Sequence, residues 1–60
     1  MMTMFRAYRE DNALVVTEAG ATIEVDGALL AANGLRALRT GQRLIVTLDA
    51  QGAVTAVSLP

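Results

Sequence analysis

Residues 34–48 read GLRALRTGQRLIVTL, and the reading of this stretch decides the fold. Gly34 leaves a turn, Leu35 to Thr40 forms a loop carrying Arg36 and Arg39, and Gly41 turns the chain again. From Arg43 to Leu48 the residues alternate. Leu44, Val46 and Leu48 fall on one side, and Arg43, Ile45 and Thr47 on the other. A period of two marks a strand with one face in a core and one face in water. The remaining segments read as partners for that strand.

Upstream, Ala21–Asp26 alternates as cleanly, with Ile23 and Val25 inward and Thr22, Glu24 and Asp26 outward. Ala28–Ala32 holds strong helix formers without β-branching, so a short helical turn is expected there, closed by Asn33-Gly34. Ala13–Thr17 is rich in β-branched residues, and Met4–Arg9 mixes apolar and basic residues at a period near two. Glu10-Asp11-Asn12 and Glu18-Ala19-Gly20 break these strands, while Met1–Thr3 reads as a frayed end. Downstream, Asp49–Gly52 is a hairpin turn, and Ala53–Leu59 is a last strand with Val57 and Leu59 toward the core. Five short strands with a longer link after the third predict an all-β domain spanning 1–60. The expected form is a five-stranded antiparallel Greek-key barrel of the OB type with a helical turn between strands three and four. An SH3-like barrel has the same strand count and stays open as an alternative.

The chain has 60 residues, of which 53% are apolar, and eleven of these are alanine. A domain of this size buries only about 60% of the surface that its unfolded chain exposes. With no Cys and no His there is no disulfide and no thiolate or imidazole metal site, so dimerisation is the most available further support. Five Arg, no Lys and six acids leave a net charge of −1. Bulk charge is therefore not a basis for nucleic-acid binding. No apolar run approaches the roughly 18–20 residues of a membrane span. No basic-then-apolar leader opens the chain, and a cytoplasmic location is expected. Arg as the sole cation, with abundant Ala, Val and Gly, fits a bacterial genome of high GC content.

From Gly34 to Leu44 the chain resembles the second half of bacterial cold-shock domains. Those run from a Gly-aromatic pair through a charged loop to a Gly-Gln dipeptide and a strand; here the dipeptide is Gly41-Gln42. Val54–Leu59 looks like the family's closing strand. The resemblance implies an OB barrel that binds single-stranded DNA or RNA, stacking bases on aromatic side chains while basic residues hold the backbone. The aromatic motifs are where this chain departs. In the alignment that the resemblance implies, Ala13 and Val15 on strand two stand where the family has phenylalanines, and on strand three Glu24 and Asp26 replace Phe and His. Leu35 takes the place of the loop aromatic, and Tyr8 is the one ring left to stack.

Two functions of different class follow. In the first, the chain is a weak, backbone-directed binder of single-stranded nucleic acid through Arg6, Arg9, Arg36, Arg39 and Arg43, with Tyr8 as a residual stacking ring. In the second, it has left nucleic acid and binds protein or assembles with itself through a face of Ala7, Ala13 and Val15. An enzyme is not expected: Ser58 is the sole serine, and Glu24 and Asp26 read as solvated carboxylates rather than a catalytic pair or an oxygen-ligand metal site. No cofactor is implied.

Overall fold

The computed structural model describes residues 1–35 and 37–60. In chain order the described elements are β1 (Met2–Arg9), β2 (Asn12–Thr17), β3 (Thr22–Val25), α1 (Gly27–Ala32), β4 (Arg43–Leu48) and β5 (Val54–Ser58). The strands form one antiparallel sheet in the order β3-β2-β1-β4-β5. Read from β4, the first four lie as 4-1-2-3, the spatial order of a Greek key. Strands about 4.8 Å apart would make a thin slab if laid flat. The nearly equal extents of 27 × 22 × 21 Å instead require the sheet to coil around its core, giving a barrel-like all-β fold.

One irregularity in β1 sets which side chains face that core. Phe5 lies opposite Val15, but the next paired residue is Ala7, opposite Leu14. Arg6 is the extra residue of a β-bulge. Before the bulge, Thr3 and Phe5 point inward; after it, Tyr8 does, opposite the fully buried Ala13. Phe5 and Tyr8, three positions apart, thus share a face, and their ring centroids lie 4.8 Å apart at an interplanar angle of 59°. Tilted rings at this spacing attract through their quadrupoles.

The core comprises Phe5, Ala13, Val15, Val25, Leu30, Leu44, Val46 and Val57. The alternation expected in β4 holds, with Leu44 and Val46 buried and Leu48 packed against them. Leu35 and Leu38 anchor the long loop to the same cluster. Two expectations fail. Met1–Thr3 is not frayed: Met2 and Thr3 pair with Ile45 and Leu44, and Val46 N–H donates to the Met1 carbonyl at 2.8 Å. The buried Thr3 hydroxyl is satisfied by donating to the Leu44 carbonyl at 3.0 Å. Leu59 lies beyond the last paired residue, Ser58, and is 51% exposed, because the β4–β5 pairing ends at Ile45–Ser58 and leaves it outside the sheet.

The helix is held at both ends. Asp26 caps it, its carboxylate accepting from Ala28 N–H at 2.8 Å. At the other end Gly34 N–H donates to Ala31 and Leu35 N–H to Leu30, at 3.1 and 2.9 Å. With Gly34 at φ +74° this is a Schellman motif, and the apolar pair Leu30–Leu35 that accompanies it packs against the core. Gly27 fixes where the helix starts. A Cβ at this position would overlap the backbone carbonyl of Asp11 in the β1–β2 turn. Gly27→Ala should therefore cost about 1–3 kcal/mol through this overlap alone. Urea titration of both forms checks it, and an unchanged midpoint would show that the turn yields freely.

Candidate functional site

The outer face of the sheet is the surface that a barrel of this size offers to a partner, and the strand register lays it out row by row. Arg43, Met4, Val16 and Thr22 form one row across β4, β1, β2 and β3. Ser58, Ile45 and Met2 form the next row toward the N-terminus. On the other side of the bulge lie Ala7, Leu14 and Glu24, and beyond them Arg9 opposite Asn12. The centre of this face is apolar and carries no aromatic ring. Met4 is 48% exposed, while Met2, Leu14, Val16 and Ile45 are half-buried.

This arrangement corrects the face expected from sequence. Ala7 is exposed, but Ala13 and Val15 are fully buried and cannot contact a partner. The phase of β2 is inverted relative to the cold-shock alignment, so Leu14 and Val16 occupy its outer positions. The run Ala13-Leu14-Val15-Val16 is apolar throughout, so no alternation marks its two sides. The phase comes from pairing with Phe5 and Ile23, which face the core.

Glu24 and Asp26 do not act together. Glu24 accepts from Asn12 Nδ2 at 2.8 Å and from Arg9 at 3.4 Å, whereas Asp26 is committed to the helix cap. Among the described residues no group of three or more acidic, histidine or cysteine side chains is placed to hold a metal ion. Asn12 also accepts from Gly27 N–H at 2.9 Å through Oδ1, so its amide ties β2 to β3 and to the start of the helix.

The expected cationic residues separate. Arg9 forms an exposed ion pair with Glu24, which takes it out of a continuous basic edge. Arg6, on the bulge, is exposed, and its backbone carbonyl accepts from the Thr40 hydroxyl at 3.1 Å. The adjoining loop extends the β1–β4 ladder: Gly41 N–H donates to Phe5 at 2.9 Å and Phe5 N–H to Gln42 at 2.7 Å. Gly41, at φ +92°, makes the turn that allows both bonds. Arg39 and Arg43 at the ends of this segment are exposed, and neither they nor Arg6 form an ion pair among the described residues. Arg36 lies outside the described residues.

Tyr8 has a structural occupation. Its ring rests against Phe5, and its hydroxyl accepts from Leu38 N–H at 2.9 Å, pinning the long loop to β1. It is 44% exposed, but it belongs to the core side of the strand, not to the outer face.

Comparisons with protein-family models, with curated proteins and with solved structures return no match to this chain. The functional reading therefore rests on the surface itself. Asn12→Ala removes both hydrogen bonds of that amide, including the one to the part-buried Gly27 N–H. It should cost about 1–2 kcal/mol of stability. Chemical denaturation checks this, and a loss within experimental error would mean that water replaces the amide at no cost.

Proposed function

We propose that the chain is a non-enzymatic binding module of the OB type, resembling a cold-shock domain that has exchanged its base-stacking surface for a protein-contact surface. The single observation that carries this reading is the ring-free apolar centre of the outer face, made by Met2, Met4, Leu14, Val16 and Ile45. Base stacking on aromatic side chains supplies about 1–3 kcal/mol per base, and aliphatic side chains offer no π-face to replace it. Methionine adapts its shape to a partner, which suits a protein contact. A polar rim of Arg6, Arg43, Thr22 and Glu24 around an apolar centre is the usual anatomy of such an interface. The Greek-key strand order and the short helix between β3 and β4 support the OB assignment.

A second reading has an observation of its own. Arg6, Arg39 and Arg43 are exposed and form no ion pair among the described residues, and arginine forks suit phosphate. On this reading the chain binds single-stranded nucleic acid weakly and through the backbone.

Titration of labelled oligo-dT at two salt concentrations separates the two. The protein-contact reading predicts no saturable binding at tens of micromolar protein, even in low salt. Binding that weakens steeply with salt and disappears in the Arg6→Ala, Arg39→Ala, Arg43→Ala triple variant would transfer the function to nucleic acid.

A further inference from the structure

The outer face is not only apolar; its two flanks carry opposite charge. A shallow crevice of about 200 Å³ runs over Met2, Met4 and Val16, with Arg43 on one wall and Glu18 on the other. Arg43 enters from β4, directly opposite Met4. Glu18 follows Thr17, which pairs with Thr3, so continuing the β1–β2 register places Glu18 beside Met2. Both residues are exposed, and neither forms an ion pair among the described residues. The methionine floor thus lies between an arginine on the β4 side and a glutamate on the β2 side.

We infer that this face binds a second copy of the chain through an isologous, two-fold contact, an assignment that rests on the protein-contact reading above. A two-fold axis exchanges equivalent positions, so the patch must complement itself. The required axis lies in the plane of the face, midway between Met2 and Met4 and perpendicular to the line from Arg43 to Glu18. Rotation about it brings Arg43 of each copy over Glu18 of the other. The symmetry makes two ion pairs from one, and it sets Met2 and Met4 against the same residues of the partner. The opposite registration, Arg43 over Arg43, places like charges together and is disfavoured. Thioether side chains can adjust to one another in the centre without demanding a preformed socket.

The alternative surfaces of the sheet do not offer this complementarity. The β3 edge is four residues long and carries Glu24, so antiparallel self-pairing about that residue would oppose two carboxylates. The β5 edge is interrupted where the register shifts between Thr47 and Leu48, and Pro60 follows two residues after the strand ends. A bulge and a proline are both ways of blunting an edge. A second copy on the methionine face also answers the size problem, because a 60-residue chain without disulfides has little other means of burying more apolar surface.

Sedimentation equilibrium across the micromolar to millimolar range tests the contact, with charge reversal at its two ends. The native chain should approach twice its 6.3 kDa mass as concentration rises. Arg43→Glu places two carboxylates together at each end, and Glu18→Arg places two guanidinium groups together. Each should raise the dimer dissociation constant about tenfold or more. An equimolar mixture of the two variants restores opposite charges at both ends and should recover the dimer, which neither misfolding nor a general loss of solubility can imitate. A chain that stays monomeric at every concentration overturns the dimer and leaves the face to a different protein. A dimer unaffected by both reversals overturns this geometry. Oligo-dT binding, by contrast, would remove the protein-contact premise itself, so the two failures are distinguishable.

Discussion

The extra residue at Arg6 governs the structure. A strand alternates strictly, so residues five and eight of a regular strand would face opposite ways. The bulge inserts one position, and from there onward the inner and outer faces of β1 exchange their sequence parity. Phe5 and Tyr8 then line one wall together, and the Tyr8 hydroxyl reaches the loop at Leu38. Without the shift, Ala7 and Arg9 would follow Phe5 inward. A guanidinium in that position would face the helix end of the core unpaired, at a cost no domain this small could absorb. The same shift sends Ala7 and Arg9 outward, where Arg9 meets Glu24.

The long connection between β3 and β4 is organised around this strand. Gly34 closes the helix, Leu35 and Leu38 pack down, and Gly41 lets the chain run alongside Phe5 before β4 begins. Thr40 binds the carbonyl of the bulge residue itself. The Gly-Gln dipeptide thus has a local explanation: glycine supplies the left-handed turn, and glutamine provides a backbone carbonyl for Phe5 and a side-chain oxygen that accepts from Arg39 N–H. These contacts require no ligand, so the dipeptide serves the fold whatever the outer surface binds.

What could be read from the sequence followed from how strongly each segment alternates. β3 carries polar residues at every second position, and β4 begins and nearly ends its outward set with Arg43 and Thr47, so their inward sets were legible: Ile23 and Val25, Leu44 and Val46. The turn glycines and the helix were legible for the same local reasons. β2 was not, because four consecutive apolar residues fit either phase, and the cold-shock alignment placed Ala13 and Val15 on the wrong face. β1 could not be read past Phe5, since nothing in Arg6-Ala7-Tyr8 marks a bulge. The candidate face inherited both errors. The alignment leaves Leu14 and Val16 off the candidate face, and the N-terminal residues Met1–Thr3 read as a loose end, although Met2 belongs to that face. Their common surface emerges only when β1 is set between β2 and β4.

The functional account depends on that arrangement of faces. If Leu14 and Val16 lie outside, the barrel presents an apolar, ring-free surface with arginine and glutamate on its flanks; if Ala13 and Val15 lie outside, it does not. A two-dimensional NOE spectrum of the protein in solution decides between these directly. The account predicts cross-peaks between the Phe5 and Tyr8 rings, between Tyr8 and the Ala13 methyl, and between Ala7 and Leu14. Contacts linking the Leu14 and Val16 methyls to the core residues Leu44 and Val46, with Ala13 and Val15 remote from them, would mean the opposite phase of β2 and would contradict it.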